Sequence, residues 1–417
     1  MRHCRLKNLP HIIIYFVLAW KWICTTLRAF SWEQRKLGEV TESYSGGTPS
    51  VGNKAYYGGT IPFIRSAEIN SYVTELFLTE QGLNNSSAKM VSEGDILYAL
   101  YGATSGEVGR ARLKGAINQA ILAILPHDGY DAEFLMQWLR KSKQSIIDVY
   151  LQGGQGNLSG AIVKELNVMF PSYCEQKKIG HYFSTFDHLI TLHQRKCEET
   201  KILKKYMLQN MFPQNGSNVP KIRFDGFTNA WQQRKLGEVC TRVQGNDGRM
   251  ELPTLTISAG NGWMRQEDRF SSNIAGKEQK NYTLLRKGEL SYNHGNSKLA
   301  KYGAVFSLQT YEEALVPRVY HSFKVIKGNA DFVEYYFATK LPDRELGKLI
   351  SSGARMDGLL NIGYDEFMGI PLLFPTTEEQ TRIAIYFRHL DYLITLHQRK
   401  CDELLKIKKF MLQNMFV

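Results

Sequence analysis

The sequence lacks the short motifs by which several classes of enzyme bind nucleotides and cofactors. It contains no G-x-x-x-x-G-K-[ST] loop for a nucleoside triphosphate and no G-x-G-x-x-G fingerprint for a dinucleotide. It also lacks the Asn-Pro-Pro or Asp-Pro-Pro run with which amino-methyltransferases hold a target base. No Ser–His–Asp or Cys–His combination can be assigned with any specificity. We therefore predict a protein that is not an enzyme and has no cofactor of its own.

Cysteine is sparse, and no two cysteines have the C-x-x-C spacing of a zinc site. Scattered cysteines in a chain of 417 residues favour reduced thiols and a cytoplasmic location, and we predict no metal site. The six cysteines are Cys4, Cys24, Cys174, Cys197, Cys240 and Cys401.

The first 30 residues contain no acidic side chain but five lysines and arginines. Their apolar run from Ile12 to Trp20 resembles part of a signal peptide, and it is shorter than the roughly 20 residues that span a bilayer. We interpret residues 1–30 as an atypical hydrophobic leader outside the fold, with a signal or membrane segment and an ordered part of the fold as the two alternatives. The net charge of +12, part of which this leader supplies, favours a polyanionic partner.

The rest of the chain is an imperfect tandem repeat. The segment W-E-Q-R-K-L-G-E-V at 32–40 returns as W-Q-Q-R-K-L-G-E-V at 231–239. L-I-T-L-H-Q-R-K-C at 189–197 returns unchanged at 393–401, and M-L-Q-N-M-F at 207–212 returns at 411–416. Because the segments between these matches differ strongly, we predict one scaffold that carries two different recognition segments.

A segment from Glu175 to Met211 has no proline, and its apolar residues recur in alternating steps of four and three. This spacing predicts a long helix with a coiled-coil seam, and a helix of about 37 residues would be about 55 Å long. We predict that it pairs with its repeat as an antiparallel coiled coil with pseudo-twofold symmetry. Both histidines of the seam are expected to pack there rather than bind a metal. The seam residues are Ile179, Phe183, Phe186, Ile190 and His193, then Ile383, Phe387, Leu390, Ile394 and His397.

The segments 41–170 and 240–374 contain short apolar runs broken by Gly, Asn and Ser, which predicts mixed α/β (α+β) domains with many short strands. Loop amides and arginines suit base edges, since Asn and Gln can bond adenine twice and Arg can bond guanine twice. Lysines more often contact phosphates. The candidate DNA-binding residues are Arg65, Tyr101, Arg110, Arg112, Gln119, Gln155, Asn157, Asn293, His294, Asn296, Lys298, Lys301, Arg318 and Arg355.

This order of variable domain, long helix, variable domain and matching helix resembles the specificity subunit of type I restriction–modification enzymes. The resemblance covers residues 31–417, and as an ensemble its motifs are highly specific. The similar segments are the two W-[EQ]-Q-R-K-L-G-E-V runs, G-D-I-L at 94–97, Y-G-A-T at 101–104, Q-G-N-L at 155–158, the E-Q-x-x-I helix starts at 175–179 and 379–383, and P-K-I-R-F at 220–224.

The resemblance implies target-recognition domains at 31–173 and 231–377, spacer helices at 174–212 and 378–417, and a linker at 213–230. Each domain would recognise one half of a split double-stranded DNA target. The helices would set the spacing and dock two modification subunits that methylate adenine, while restriction subunits would add ATP-driven translocation and cleavage. No membrane partner is expected. Two alternatives remain: a stand-alone DNA-binding adaptor or regulator, and a secreted or membrane-tethered coiled-coil interaction protein.

Overall fold

The computed structural model describes residues 32–150, 157–214, 216–270, 276–295, 297–350 and 359–416. The predicted leader, residues 1–30, lies outside these ranges. The described residues form two compact units: unit 1 holds those up to His193 and from Arg399 onward, and unit 2 holds those from Gln194 to Gln398. The chain therefore passes from unit 1 into unit 2 and returns to unit 1 at its end.

Unit 1 is built from short strands and a few helices. Strands β2, β9, β6 and β7 form an antiparallel sheet in that order, β4, β3, β8 and β5 form a second sheet, and β1 pairs with β10. The described strands are β1 (Glu33–Lys36), β2 (Thr41–Ser45), β3 (Tyr57–Ile64), β4 (Phe77–Leu78), β5 (Lys89–Val91), β6 (Ile96–Ala99), β7 (Val108–Arg110), β8 (Gly115–Ile117), β9 (Ile121–Pro126) and β10 (Asn167–Phe170). The helices are α1 (Leu37–Val40), α2 (Glu80–Asn84), α3 (Ala132–Tyr150), α4 (Gly160–Lys164) and the first part of α5 (Tyr173–Asn210), with 3-10 turns at Lys54–Tyr56 and Ser66–Glu68.

Unit 2 has the same kind of architecture. Strands β12, β19, β16 and β17 form an antiparallel sheet in that order, and β11 with β20, β13 with β14 and β15 with β18 form three pairs. The described strands are β11 (Gln232–Lys235), β12 (Cys240–Arg242), β13 (Leu255–Ser258), β14 (Gly262–Arg265), β15 (Thr283–Arg286), β16 (Leu290–Asn293), β17 (Ala304–Ser307), β18 (Glu313–Val316), β19 (His321–Val325) and β20 (Pro371–Phe374). The helices are α6 (Leu236–Val239), α7 (Gln266–Phe270), α8 (Ala330–Ala338), α9 (Asp343–Lys348), α10 (Tyr364–Met368) and α11 (Thr377–Met415), with a 3-10 turn at Gly276–Asn281.

The two units share a frame although their variable segments differ in sequence. The sheet order β12-β19-β16-β17 repeats the order β2-β9-β6-β7, and the pair β11-β20 repeats β1-β10. The second sheet of unit 1 has no four-stranded counterpart among the described strands of unit 2. The predicted fold class, two tandem α/β domains that are each followed by a long helix, is confirmed. No helix in the described ranges combines the length and apolar character needed to cross a membrane.

Each long helix begins with a buried glutamine that ties it to its domain. The amide of Gln176 donates to the carbonyl of Pro171 at 3.0 Å, and its oxygen accepts from the N–H of Asp131 at 2.9 Å. Gln380 makes the equivalent two bonds at 2.9 and 3.0 Å. Both polar groups of each buried amide are therefore satisfied. This gives the glutamine that is repeated near the start of each long helix a structural role.

The predicted seam residues face the cores of the two units. Within each unit the two helices run antiparallel. In unit 1 Phe183 contacts Phe416 and Asp187 contacts Lys408. In unit 2 Phe387 contacts Phe212 and Asp391 contacts Lys204. His193, Ile394 and His397 are only partly buried. The buried seam residues are Ile179, Phe183, Phe186 and Ile190 in unit 1, and Ile383, Phe387 and Leu390 in unit 2.

A four-membered aromatic cluster closes the core of unit 1. The ring of Phe416 lies 5.2 Å from that of Phe134, 5.8 Å from Phe183 and 6.5 Å from Trp32, measured between centroids. Phe416 is the last letter of the second M-L-Q-N-M-F segment and follows directly after α11. The end of the second long helix therefore supplies the residue that completes the first unit.

The same cluster occurs in unit 2, with Phe212 in the place of Phe416. Its centroid lies 5.6 Å from Phe332, 6.1 Å from Phe387 and 5.9 Å from Trp231. The two clusters use equivalent positions of the repeat, which gives the repeated M-L-Q-N-M-F segment a packing role. Buried aromatic pairs of this geometry contribute about 0.5–1.5 kcal/mol each beyond their area.

An ion pair beside each cluster repeats in the same way. Asp187 binds Lys408 and, at 2.8 Å, the guanidinium of Arg140. Burial acts to raise the pKa of Asp187, but the two cations outweigh it and hold the pKa below its usual value. The equivalent pair in unit 2 joins Lys204 to Asp391 at 2.6 Å.

Replacement of Phe416 by alanine should destabilise unit 1, and replacement of Phe212 should destabilise unit 2. Each change leaves a cavity in an aromatic core, so we expect a loss of about 3–5 kcal/mol in the free energy of unfolding. Hydrogen exchange in the full chain should locate the effect, with faster exchange in α3 for Phe416→Ala and in α8 for Phe212→Ala.

Leu405→Ala is the matched control, because Leu405 is exposed on the same helix. It should change stability by less than about 0.5 kcal/mol. Equal exchange in α3 and α8 for both phenylalanine variants would contradict the assignment of one anchor to each unit.

Candidate nucleic-acid interface

One edge of the four-stranded sheet in unit 1 gathers three chain segments. Strands β2 and β6 end where β9 begins, with Ser45 opposite Leu122 and Ala99 opposite Ile121. Leu100 holds the next residues together, because its N–H donates to the carbonyl of Ala120 at 2.8 Å and its own carbonyl accepts from Leu158 at 2.9 Å. We call this edge the strand-end surface of unit 1.

Three of the predicted site residues lie on this surface, each next to a residue of that junction. They are Tyr101, Gln119 and Asn157; Gln119 and Asn157 are exposed, and Tyr101 is partly buried. The hydroxyl of Thr48 donates to the amide oxygen of the exposed Gln119, which orients the carboxamide. The surface therefore presents amide and phenol groups, which suit the hydrogen-bonding edges of bases.

Close backbone approach places Thr48 beside Gln119. The N–H of Gly47 donates to the carbonyl of Ile117 at 3.1 Å. A Cβ atom at Gly46 would lie 1.9 Å from the same carbonyl oxygen, so only glycine fits there.

The corresponding edge of unit 2 has the same backbone plan. Strands β12 and β16 end where β19 begins, with Tyr292 opposite His321. The N–H of Leu360 donates to the carbonyl of His294 at 2.8 Å, in the place of the bond between Leu158 and Leu100. This edge, the strand-end surface of unit 2, contains a cleft of about 530 Å³.

The cleft in unit 2 is cationic. Its walls include Arg242, Lys280 and Arg318, all exposed, and none of its lining residues is acidic. The guanidinium of Arg242 lies over the ring of Tyr364, 4.3 Å from the centroid. Unopposed cations in a concave surface concentrate the field and attract phosphates. The other lining residues are Val243, Gln244, Gly245, Asn246, Asn281, Thr283, Tyr320 and Ser322.

Three predicted arginines of unit 1 have other partners. Arg65 donates to Glu68 at 2.9 Å and to Glu75 at 2.6 Å. Arg110 lies at the opposite edge of the sheet, across from Ile96 at the start of β6, and pairs with Glu133 at 3.6 Å.

Arg112 follows β7 at that same far edge and lies over the ring of Tyr72, 5.2 Å from its centroid. None of the three therefore lies beside Tyr101, Gln119 and Asn157, and contact of these arginines with DNA stays a prediction.

His294 is buried rather than available to a base. Its Nδ1 lies 2.7 Å from the carbonyl oxygen of Leu360 and its Nε2 2.9 Å from that of Val319. Its ring also stacks on His321 at 4.9 Å. The histidine fixes the backbone of the strand-end surface, and the prediction that it contacts DNA does not fit this burial.

The other candidate DNA-binding residues of unit 2 differ in location and burial. Asn293 is partly buried and donates to the carbonyl of Ile257 at 3.2 Å. Lys298 and Lys301 are exposed in the turn between β16 and β17, and Arg318 lies in the cleft. Gln155, Asn296 and Arg355 lie outside the described residues.

Thr48, Arg242 and Lys280 lie on these surfaces but are not among the residues predicted from the sequence. The sequence contains a signal for Thr48 and Arg242, because the alignment of the two repeats can be extended past the matched W-x-Q-R-K-L-G-E-V segment. Ser45-Gly46-Gly47-Thr48 then aligns with Gln244-Gly245-Asn246-Asp247, two residues after Arg242. Lys280 carries no such signal, because it reaches the cleft only through the fold.

Comparison with known proteins agrees with this geometry. Residues 31–201 match the model of the type I restriction modification DNA specificity domain. A relative in Methanocaldococcus jannaschii, the MjaVIII specificity subunit of a type I restriction enzyme, is 22% identical over 91% of this chain and 90% of its own length. The crystal structure of a type I restriction-modification S subunit from M. genitalium has a TM-score of 0.61 and 15% identity, and the match covers 93% of this chain and 97% of that one. Residues 31–201 therefore match a type I restriction modification DNA specificity domain, and the chain as a whole is similar to the specificity subunits of type I restriction enzymes.

A second relative in this family is more similar over a shorter stretch. The MjaIX specificity subunit of Methanocaldococcus jannaschii is 28% identical over 242 residues, which are 52% of this chain. The match spans about half of that relative, 53% of its length.

Removal of the cationic side chain at position 318 should weaken binding to any DNA duplex. We expect Arg318→Ala to reduce the slope of log affinity against log salt concentration by about 1, because one phosphate contact is lost. Fluorescence anisotropy with a labelled duplex at several salt concentrations measures this slope.

Arg286→Ala serves as the control, since Arg286 is exposed but outside the cleft and faces Glu313. Identical salt slopes for the two variants would show that the cleft takes no part in binding.

Proposed function

We propose that this chain is the DNA sequence-specificity subunit of a type I restriction–modification complex. Residues 31–173 and 231–377 act as two target-recognition domains, and each recognises one half of a split double-stranded DNA target. The observation that carries the proposal is the repeated strand-end surface, which has one backbone plan and two different sets of side chains. The match of residues 31–201 to a type I restriction modification DNA specificity domain supports the same assignment.

The two surfaces are proposed to use different chemistry. In unit 1, Tyr101, Gln119 and Asn157 offer hydrogen-bonding groups for base edges. In unit 2, Arg242 and Arg318 supply a cationic cleft, and Lys298 and Lys301 lie on a neighbouring turn for phosphate contact. Residues 213–230 link the first helix to the second domain.

The long helices, residues 174–212 and 378–417, are proposed to set the distance between the half-targets. Helix α5 has 38 residues and α11 has 39, so each is about 57 Å long at 1.5 Å per residue. Continuous helices of this length suit a molecular ruler. Their exposed faces are proposed to dock two modification subunits, which would supply the methyltransferase activity.

The chain itself is proposed to be non-catalytic. The relatives are named as specificity subunits of type I restriction enzymes, so the chemistry is assigned to other subunits of the complex. Restriction subunits would add ATP-dependent translocation and cleavage. Because the target is cellular DNA, we place the working complex in the cytoplasm.

Selection of bound duplexes from random DNA tests the proposal. The complex of this chain with the modification subunit encoded beside it should enrich a motif with two specified halves and an unspecified spacer. Gln119→Ala with Asn157→Ala should relax one half only, at a cost of about 1–3 kcal/mol for each affected base pair.

Arg318→Ala is the comparison variant, because it lies in the other unit and should leave that half intact. A continuous motif, or loss of both halves in the Gln119/Asn157 variant, would contradict the assignment of one half-target to each domain. Specific binding with no modification subunit attached would favour a stand-alone DNA-binding adaptor.

A further inference from the structure

Unit 2 contains a second cavity, of about 480 Å³, away from the strand-end surface. It lies between the C-terminal part of α5, the end of α8 and α11. We call it the lysine pocket; the exposed residues Lys201, Lys205 and Lys340 are its rim, and its lining also includes the apolar residues Leu208, Ala338 and Ile394.

The pocket exists because α8 stops early. Helix α8 ends at Ala338, whereas its counterpart α3 in unit 1 continues to Tyr150. Two residues after Ala338, Lys340 takes a left-handed backbone conformation with φ 65°, which turns the chain away. This conformation strains any residue with a Cβ and is most often given to glycine at helix ends.

In unit 1 an arginine occupies the equivalent place. Aligning the aromatic positions Phe134 and Phe332 sets Arg140 opposite Ala338, and Arg140 binds Asp187 at 2.8 Å. In unit 2 the matching Asp391 is bound instead by Lys204 at 2.6 Å and the hydroxyl of Tyr335 at 2.7 Å. The repeat is thus broken at this position.

The rim of the pocket has excess positive charge. Lys204 is neutralised by Asp391, and Lys201 has only a 3.6 Å pairing with exposed Glu198. Lys205 and Lys340 are exposed, and neither appears in an ion pair among the residues that the structure describes. The charge favours an anionic ligand, either carboxylate or phosphate.

The apolar lining of the pocket favours a protein over a nucleic acid. Leu208 and Ile394 are partly buried there, and Ala338 lines the same pocket, together with the lysines. A sugar–phosphate backbone gains little from such a lining, whereas apolar anchors ringed by charges are typical of protein interfaces.

We propose that the lysine pocket docks an acidic segment of one modification subunit, which inserts an apolar side chain over Leu208 and Ile394. This inference rests on the proposed function. It adds that the two modification subunits are bound unequally, because Arg140 stands in the equivalent place in unit 1.

The test measures the binding of purified modification subunit to the immobilised full chain, with native mass spectrometry for stoichiometry. The wild-type chain should bind two subunits, and the double variant Lys205→Glu/Lys340→Glu should weaken one of the two binding events at least tenfold. Lys409→Glu is the matched control, because Lys409 is exposed and is the repeat equivalent of Lys205 in unit 1. It should leave both events within twofold of wild type.

Two further variants separate docking from folding. Ala338→Arg should fill the pocket as Arg140 does in unit 1 and weaken the same event without reversing a rim charge. Lys340→Gly should remove a rim charge while relieving the left-handed strain, so Tm should rise although binding weakens. Loss of binding with a fall in Tm would indicate a structural role and overturn the proposal.

The outcomes are distinguishable from failure of the proposed function. A wild-type chain that binds no modification subunit would overturn both. Two unchanged binding events in the charge-reversal variant, or equal weakening by Lys409→Glu, would overturn the pocket alone. Weaker DNA binding by Lys205→Glu/Lys340→Glu with normal subunit assembly would assign the pocket to the DNA backbone and likewise reject it as a protein site.

Discussion

The aromatic anchor at the end of each long helix is the contact on which both units depend. Phe416 completes the cluster around Trp32 and Phe134, and Phe212 completes the cluster around Trp231 and Phe332. Each anchor follows a helix that begins in the other unit, so neither unit has a complete core without the full length of that helix. This constraint explains why the helix ends are repeated so faithfully while the segments between them diverge.

A shared frame with exchangeable side chains is well suited to recognition of two unlike half-targets. The frame is held by contacts that do not involve the recognition loops, namely the anchors, the Asp187–Lys408 and Lys204–Asp391 pairs and the glutamines at the helix starts. The strand-end surfaces are consequently free to vary. Unit 1 places amide groups there, and unit 2 places a cationic cleft in the corresponding region.

Much of the frame could be predicted from the sequence, because a repeat and a heptad spacing depend on residues close together in the chain. The long helices, their antiparallel pairing and the strand-rich domains followed from such local patterns. The site was harder, since partners distant in sequence decide which side chains are available. In the sequence alone, Arg65 and Arg110 are suited to contact with bases. The fold places the carboxylate of Glu75 beside Arg65 and that of Glu133 beside Arg110. His294 lies in a polar stretch of sequence, yet in the fold it is buried. Both of its ring nitrogens lie within hydrogen-bonding distance of backbone carbonyls. Lys280, in a 3-10 turn, lines the same cleft as Arg242 and Arg318, and no local pattern reveals this proximity.

The most direct test of recognition of a split DNA target by the two domains is a map of DNA methylation in a host that lacks adenine methylation. The chain would be expressed there with the modification subunit encoded beside it, and modification-sensitive long reads would locate the methylated bases. If each domain recognises one half of the target, we expect one split motif, methylated on both strands, with two specified halves separated by a spacer of fixed length. An assembled complex that methylates a continuous motif, or no motif at all, would contradict it.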